Sequence, residues 1–271
     1  MTDLVRRSIT AWFFIGTMLF GMFFSELSFQ ILFFLIGLGC WWEYLTLTLK
    51  NAKWRHIVGI ILFTTIYWTW RHIAVYNPRM SILAVTLTVS VFLIVEMFFA
   101  SEKTFRNVAY LTLGIFYISF PITLVQDISF MNPAHTFTPN LVAGLVYLVW
   151  MNDTAAYMVG SKLGKNLILP LISPKKTWEG FAGGFGMCIL LSFLITYVMG
   201  VLPWYHWLGL SIVVPIFGSL GDLVESLLKR SMGAKDSSTL FPGHGGFFDR
   251  YDAFIMQVPF SYLYLVIFHL N

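Results

Sequence analysis

Apolar residues recur along the chain in runs long enough to cross a membrane, and short polar segments separate these runs. With about 20 residues taken as one span of the bilayer, the runs predict nine helices, at residues 9–24, 28–48, 56–71, 80–99, 106–127, 140–160, 178–200, 206–231 and 252–270. The polar segments include no Pro-, Ser- or Gly-rich linker. The pattern therefore predicts an all-α, polytopic integral membrane protein whose residues 1–271 form a single membrane domain.

The composition supports a membrane environment. Hydrophobic residues make up 58% of the chain and charged residues only 11%, whereas soluble domains are about one-quarter charged. A net charge of +4 could indicate a nucleic-acid partner, but the Lys and Arg residues lie in short segments between apolar runs. We therefore predict a membrane-lipid environment and no nucleic-acid partner. The two cysteines, Cys40 and Cys188, lie inside apolar runs and are interpreted as packing residues.

The distribution of positive charge predicts the orientation. Of the 17 Lys and Arg residues, 15 lie in the N-terminal segment or in the segments that follow the second, fourth, sixth and eighth predicted helices. The opposite side has only Arg71 and Arg79. Because positive residues concentrate on the cytoplasmic side of a membrane, we expect a cytoplasmic N-terminus. The alternation also requires all nine spans.

Several carboxylates fall within predicted spans, where an unpaired charge costs roughly 2.5 to 3.5 kcal/mol. These residues are Glu43, Glu96, Asp153, Asp222 and Glu225. Glu43 and Glu96 lie near helix ends that also carry Lys50 and Lys103. We interpret these two glutamates as charges that reach the interface or pair locally.

The eighth predicted helix has a polar face formed by Asp222, Glu225, Ser226 and Lys229, since these residues are spaced three, one and three apart. Two carboxylates at positions i and i+3 repel each other unless a cation or a proton intervenes. Bound Mg²⁺ would remove this repulsion. The alternative is a solvated polar side at the end of the helix, and the helix alone does not distinguish the two.

The segment after this helix, residues 229–252, mixes charges with Gly243, Gly245 and Gly246. Glycines allow the backbone to approach a ligand closely and present N–H groups to phosphate oxygens. Asp249 and Asp252 stand where the ninth helix begins, so they could instead cap that helix.

The segment after the sixth helix offers weaker signals. Lys175 and Lys176 could be membrane anchors, and Ser173 or Thr177 could begin a helix. Two Gly-x-x-x-Gly pairs, at 160/164 and 180/184, are more typical of close helix packing than of ligand contact.

Together, these two segments resemble the phosphatidate cytidylyltransferase family. The second segment matches the family signature at Ser226, Lys229, Arg230, Lys235, Asp236, Ser238, Phe241, Pro242, His244, Gly245, Gly246, Asp249, Arg250 and Asp252. The first segment is similar at Asn152, Asp153, Ala156, Tyr157, Gly160, Gly164, Lys165, Glu179, Gly180 and the run 173–177. The resemblance is specific over residues 150–255, and the departures at Ser161 and Tyr251 leave the acidic positions intact.

The resemblance implies a Mg²⁺-dependent nucleotidyltransferase that joins CTP to phosphatidic acid and releases pyrophosphate. On this basis the metal ligands would be Asp222 and Asp249, with Asp153, Glu225 and Asp252 as further candidates, and a second metal or monovalent ion is left open. Catalytic roles fall to Asp222, Lys229, Arg230, Lys235, Asp236, His244, Asp249 and Arg250. Substrate binding falls to Ser173, Lys175, Lys176, Thr177, Ser226, Gly245 and Gly246.

The resemblance also divides the chain into N-terminal transmembrane helices, residues 1–135, and a C-terminal part, residues 136–271, with the catalytic helices and cytoplasmic loops. It implies an enzyme of the cytoplasmic (inner) membrane with its site facing the cytoplasm, and the glycine pairs and apolarity favour a homodimer. Three alternatives stay open: a transporter, another CTP-using enzyme such as a polyprenol kinase, and a structural membrane protein.

Overall fold

The structure is a computed structural model that describes residues 14–49, 53–76, 78–98, 104–132, 134–235, 237–238 and 246–268. Its helices are α1 (Phe14–Phe23), α2 (Glu26–Thr48), α3 (Lys53–Tyr76), α4 (Pro78–Phe98), α5 (Thr104–Gly114), α6 (Phe120–Ile128), α7 (Asn140–Leu163), α8 (Trp178–Met199), α9 (Trp204–Ser231) and α10 (Phe248–Phe268). The all-α class is confirmed, because each predicted span is helical wherever the structure describes its residues.

Six helical segments among the described residues are long and apolar enough to cross a membrane: Glu26–Thr48, Thr104–Ile128, Asn140–Leu163, Trp178–Met199, Trp204–Ser231 and Phe248–Phe268. Phe14–Phe23 and Thr86–Phe98 are shorter apolar helices. An integral membrane protein is thus supported. The count of nine spans and the cytoplasmic N-terminus remain predictions.

The predicted helix at 106–127 is interrupted. Between α5 and α6 the backbone forms a π-helical turn, Ile115–Ser119. Pro121 follows this turn and has no N–H to give to a carbonyl of the preceding turn. A local widening of the helix accommodates this loss, and π turns of this kind often occur at functional sites.

The segment between α7 and α8 differs from the predicted loop, because it contains a small antiparallel hairpin. Strand β1 (Leu167–Leu169) pairs with β2 (Ser173–Thr177), with Leu167 opposite Thr177 and Leu169 opposite Ser173. The hairpin brings the basic residues of β2 back over the end of α7.

Helices α7, α8, α9 and α10 pack against their neighbours in sequence, and α10 also contacts α2 and α6. Small residues allow this close approach, as is usual where lipid weakens the hydrophobic drive for helix association. At Gly144, for example, a Cβ atom would lie 2.1 Å from the ring of the buried Trp207. The packing holds the ends of α2, α9 and α10 together on one side of the bundle.

Candidate active site

The start of α8 is fixed by local hydrogen bonds. Thr177 is the N-cap residue, and its hydroxyl oxygen accepts a hydrogen bond from Gly180 N at 3.1 Å. Glu179 accepts hydrogen bonds from the backbone of Lys165 at 3.0 Å and from the side chain of Asn166 at 2.7 Å. The predicted helix start at Thr177 is confirmed, and the same contacts attach the hairpin to α8.

Glycines bring α7 and α8 into backbone contact here. A Cβ atom on Gly180 would lie 2.8 Å from the carbonyl oxygen of Ala156 and 3.2 Å from Gly160 Cα, and one on Gly184 would lie 2.8 Å from the carbonyl oxygen of Asn152. The interpretation of these glycines as packing residues is confirmed. Because they pack within one chain, they give no support to a homodimer, which remains a prediction.

A cavity of about 600 Å³ lies between α7, the hairpin, the first turn of α8, and α9. Its lining combines carboxylates, cations and hydroxyls with apolar side chains, and it includes Asp153, Tyr157, Ser173, Lys175, Lys176, Thr177, Phe181 and Asp222. Six of the residues assigned from sequence therefore share one space. They come from segments up to 70 positions apart.

An ion pair in the cavity joins Lys176 of β2 to Asp222 of α9, whose side chains are about one-quarter exposed. Asp153 of α7 accepts a 3.2 Å hydrogen bond from Asn152 and lies close enough to Asp222 for the two carboxylates to repel each other. Lys175 is exposed at the cavity. The cavity thus has an acidic wall opposite a basic strand.

A second cluster of charged residues lies where α9 meets α10, and its side chains are more buried than those of Lys176 and Asp222. The Nζ atom of the buried Lys229 lies 2.6 Å from Glu225 Oε2 and 2.5 Å from Asp249 Oδ1. One ammonium group therefore serves two carboxylates. Asp252, which is also buried, interacts electrostatically with Glu225 and Asp222.

The other oxygen of Asp249, Oδ2, accepts hydrogen bonds from Gly246 N at 2.8 Å, from Ser237 N at 3.1 Å and from Ser237 Oγ at 2.8 Å. The bond from Gly246 shows that Asp249 does contact the backbone at the beginning of α10, as the capping interpretation expected. The bonds from Ser237 and Lys229 show that it also joins α9 and the segment after it.

The environment of Glu43 differs from the one predicted from the sequence. Its carboxylate, only 4% exposed, accepts hydrogen bonds from Ser237, Ser238, Phe247 and Phe248, all more than 190 positions away. The interpretation as an interfacial or locally paired charge was wrong, because the long-range partners could not be read from a single helix. Glu96 is also buried and pairs with Arg55 of α3, 41 positions away, so the same interpretation was wrong for Glu96.

Four more of the residues assigned from the sequence lie in the described part of the chain. Arg230, Lys235 and Arg250 are exposed, and Ser226 is half-buried. Asp236, His244 and Gly245 lie outside the described residues, so their assigned roles stay predictions.

The oxygen atoms at the candidate site can be compared with the ligands that Mg²⁺ requires. Among the described residues, no group of three or more His, Cys, Asp or Glu side chains is arranged to hold a metal ion. Mg²⁺, however, is commonly bound by one or two carboxylates together with substrate phosphates. Asp153 and Asp222 share the cavity, and two buried oxygens, Asn152 Oδ1 and Glu225 Oε1, have no hydrogen-bond partner. This oxygen-rich set fits a Mg²⁺ ion that arrives with a polyphosphate.

Comparisons with known proteins agree with the resemblance. Residues 5–268 match the model of the cytidylyltransferase family. A protein of Bacillus subtilis (strain 168) named phosphatidate cytidylyltransferase is 31% identical over 281 residues, which cover 99% of this chain and all of that protein. Proteins of the same name from Staphylococcus epidermidis (strain ATCC 12228) and Staphylococcus aureus (strain COL) are 47% and 41% identical over 124 and 120 residues, 44% of this chain and 46% of each relative.

Proposed function

This chain belongs to the cytidylyltransferase family, and we propose that it transfers the cytidylyl group of CTP to phosphatidate, giving CDP-diacylglycerol and pyrophosphate in phospholipid synthesis. The observation that carries the proposal is the cavity in which Lys175 and Lys176 face Asp153 and Asp222. The Bacillus subtilis relative matches 99% of this chain, which includes the helices that build the cavity.

The reaction needs no nucleophilic side chain. An oxygen of the phosphatidate phosphate forms a bond to the α-phosphorus of CTP. The bond from that phosphorus to the oxygen bridging to the β-phosphate breaks, and pyrophosphate leaves with the electron pair. A phosphate monoester with a second pKa of about 6 is largely ionised at neutral pH. The protein must therefore mainly position two anionic reactants and stabilise charge.

The side chains divide this work. Lys175 is exposed at the cavity and can bind phosphate oxygens directly. Lys176 can do so from its place beside Asp222, which orients its ammonium group. We assign Lys229 a different role, because it already lies between Glu225 and Asp249. There it offsets carboxylate charge and holds α9 against α10.

Asp153 and Asp222 are the residues that we expect to hold Mg²⁺, with Glu225, Asp249 and Asp252 behind them. When bound, the ion would neutralise charge on the phosphates of CTP. Asp249 supports the arrangement through its bonds to Lys229 and Ser237.

The location follows from the two substrates. The diacyl chains must reach the cavity from the bilayer, and Tyr157, Phe181 and Leu167 give part of its lining the apolar character that this requires. CTP must come from the cytoplasm. We therefore propose a cytoplasmic-membrane enzyme whose cavity faces the cytoplasm, in agreement with the positive charge predicted for that side.

The test is pyrophosphate release by the purified protein in detergent with CTP, dioleoyl phosphatidic acid and Mg²⁺. Omission of the lipid removes one substrate and should reduce pyrophosphate release by about 100-fold or more. The substitution Asp222→Asn should have an effect of the same size, because Asp222 supports charge stabilisation. The matched control is Asp127→Asn, which alters a carboxylate that hydrogen-bonds Trp70 on α3, away from the cavity. This control should keep wild-type activity.

Two results would contradict the proposal. Lipid-dependent formation of CDP instead of pyrophosphate would indicate a CTP-dependent kinase. No turnover by folded protein in lipid-replete detergent would favour the transporter alternative.

A further inference from the structure

The carboxylate of Glu43 is bonded symmetrically to two short stretches of chain. Its Oε1 accepts from Ser238 Oγ at 2.6 Å and from Phe247 N at 2.9 Å. Its Oε2 accepts from Phe248 N at 2.9 Å and lies 2.7 Å from Ser237 Oγ, whose single hydroxyl hydrogen it shares with Asp249 Oδ2. Each oxygen thus contacts one hydroxyl from the segment after α9 and one backbone N–H from the start of α10. A buried carboxylate is tolerated where such charge-assisted bonds replace its water.

Two glycines allow the chain to pack closely around Glu43 and this face of α2. A Cβ atom on Gly246 would lie 2.1 Å from Glu43 Oε2 and 2.3 Å from Ser237 Oγ. One turn earlier on α2, a Cβ atom on Gly39 would lie 2.8 Å from the ring of Phe247. Gly39 and Glu43 are four residues apart and so share a face of the helix. This face of α2 is therefore fitted to the beginning of α10.

The contacts continue from Glu43 into the candidate active site. The hydroxyl of Ser237, which lies 2.7 Å from Glu43, also lies 2.8 Å from Asp249 Oδ2. Asp249 in turn contacts Lys229, and Lys229 contacts Glu225. A continuous series of hydrogen bonds and ion pairs thus runs from α2 to α9, and α2 is the only one of these elements from the N-terminal part of the chain.

We propose that Glu43 is a positioning residue for the cytidylyl transfer, a role that rests on the proposed function. It fixes residues 237–238 against residues 246–248, and so sets the orientation of Asp249 and Lys229. Glu43 itself need not touch substrate. A displacement of about 1 Å in a positioned group can lower turnover by about 100-fold.

The substitution Glu43→Gln tests this role sharply. Because each carboxylate oxygen accepts from a backbone N–H, either orientation of the amide directs its NH₂ group at Phe247 N or Phe248 N. One of these donors then loses its acceptor. We expect kcat for pyrophosphate release to fall by about 10- to 100-fold, with KM for CTP changed less than kcat. Glu43→Asp keeps the charge and should recover part of the loss.

The matched control is Glu96→Gln, which neutralises another buried carboxylate on an N-terminal helix. Its partner is Arg55, and it has no described contact with the candidate active site. We expect Glu96→Gln to lower the thermal stability and leave kcat unchanged. Ser238→Ala removes a single hydrogen bond to Glu43, and it provides a milder variant should Glu43→Gln fail to fold.

Hydrogen–deuterium exchange over residues 246–250 gives a readout that does not depend on activity. Loss of one Glu43 acceptor should speed exchange at Phe247 or Phe248 in the Glu43→Gln protein but not in Glu96→Gln. If the wild type is active and Glu43→Gln keeps both its kcat and its slow exchange, the positioning role is refuted while the proposed function stands. If the wild type makes no pyrophosphate but the exchange still accelerates in Glu43→Gln, the proposed function fails and the structural contact survives.

Discussion

Lys229 is largely buried between two carboxylates, and its removal should lower the free energy of unfolding markedly. Its side chain is 11% exposed, whereas those of Glu225 and Asp249 are 2% and 14% exposed. Substitution Lys229→Met keeps much of the side-chain volume but leaves two unpaired anions. Breaking a buried ion pair by removal of one partner costs about 3 to 5 kcal/mol, and we expect a loss in this range.

A second substitution identifies the cause. With both carboxylates ionised, Lys229, Glu225 and Asp249 together carry one net negative charge in the wild type, and the two carboxylates carry two in Lys229→Met. Adding Glu225→Gln to Lys229→Met restores the original net charge. We therefore expect the double variant to be more stable than Lys229→Met, whereas Glu225→Gln alone should stabilise the wild type little or not at all, because it removes a partner of Lys229.

Thermal unfolding in detergent can measure all four proteins with a thiol-reactive fluorophore. Cys40 and Cys188 are free and buried, so they react only when the helices separate. A loss of 3 kcal/mol corresponds to a fall in Tm of about 6 to 12 °C for a chain of this size. An unchanged Tm for Lys229→Met, or a double variant no more stable than Lys229→Met, would refute the electrostatic reasoning.

Three further predictions concern the cap, the helix contact and the metal. Thr177→Val removes the hydroxyl that accepts from Gly180 N and should lower the free energy of unfolding by about 1 kcal/mol, measured by the same unfolding assay. Gly180→Ala should destabilise the α7–α8 contact, because the new Cβ would lie 2.8 Å from the carbonyl oxygen of Ala156. Gly186→Ala is the control and should not destabilise the protein, because its Cβ would meet nothing within 4 Å. Equal Tm values for the two variants would contradict this prediction. Chelation of divalent metal should abolish pyrophosphate release and leave the helical circular dichroism unchanged, and full activity in excess chelator would exclude the Mg²⁺ role.

Much of the fold was accessible from the sequence because it depends on local physics. A run of about 20 apolar residues must form a helix in a bilayer, since only internal hydrogen bonds can satisfy its backbone there. The helix ends were also close: α9 was expected at 206–231 and is found at Trp204–Ser231. The hairpin of β1 and β2 was missed, because strands of three and five residues carry little periodic signal.

The candidate site was predictable in its residue types but not in its contacts. The residues of α9 were expected to share a polar face, and the spacing of Asp222 and Glu225 indicated either a cation or proton beside them or a solvated polar side. In the structure two different lysines contact these carboxylates: Lys229, one turn along the same helix, contacts Glu225, and Lys176 contacts Asp222. Only the second contact depends on how the hairpin folds over α7.

By itself, the sequence determined the membrane environment, the helices and the resemblance to a nucleotidyltransferase family, because each depends on residues that are neighbours in the chain. Only the tertiary structure decided what Glu43 does. A carboxylate near a helix end has the same local signature whether it meets water or contacts donors of Ser237, Ser238, Phe247 and Phe248. The difference lies in which distant backbone N–H groups the packing of α2 against α10 brings within reach.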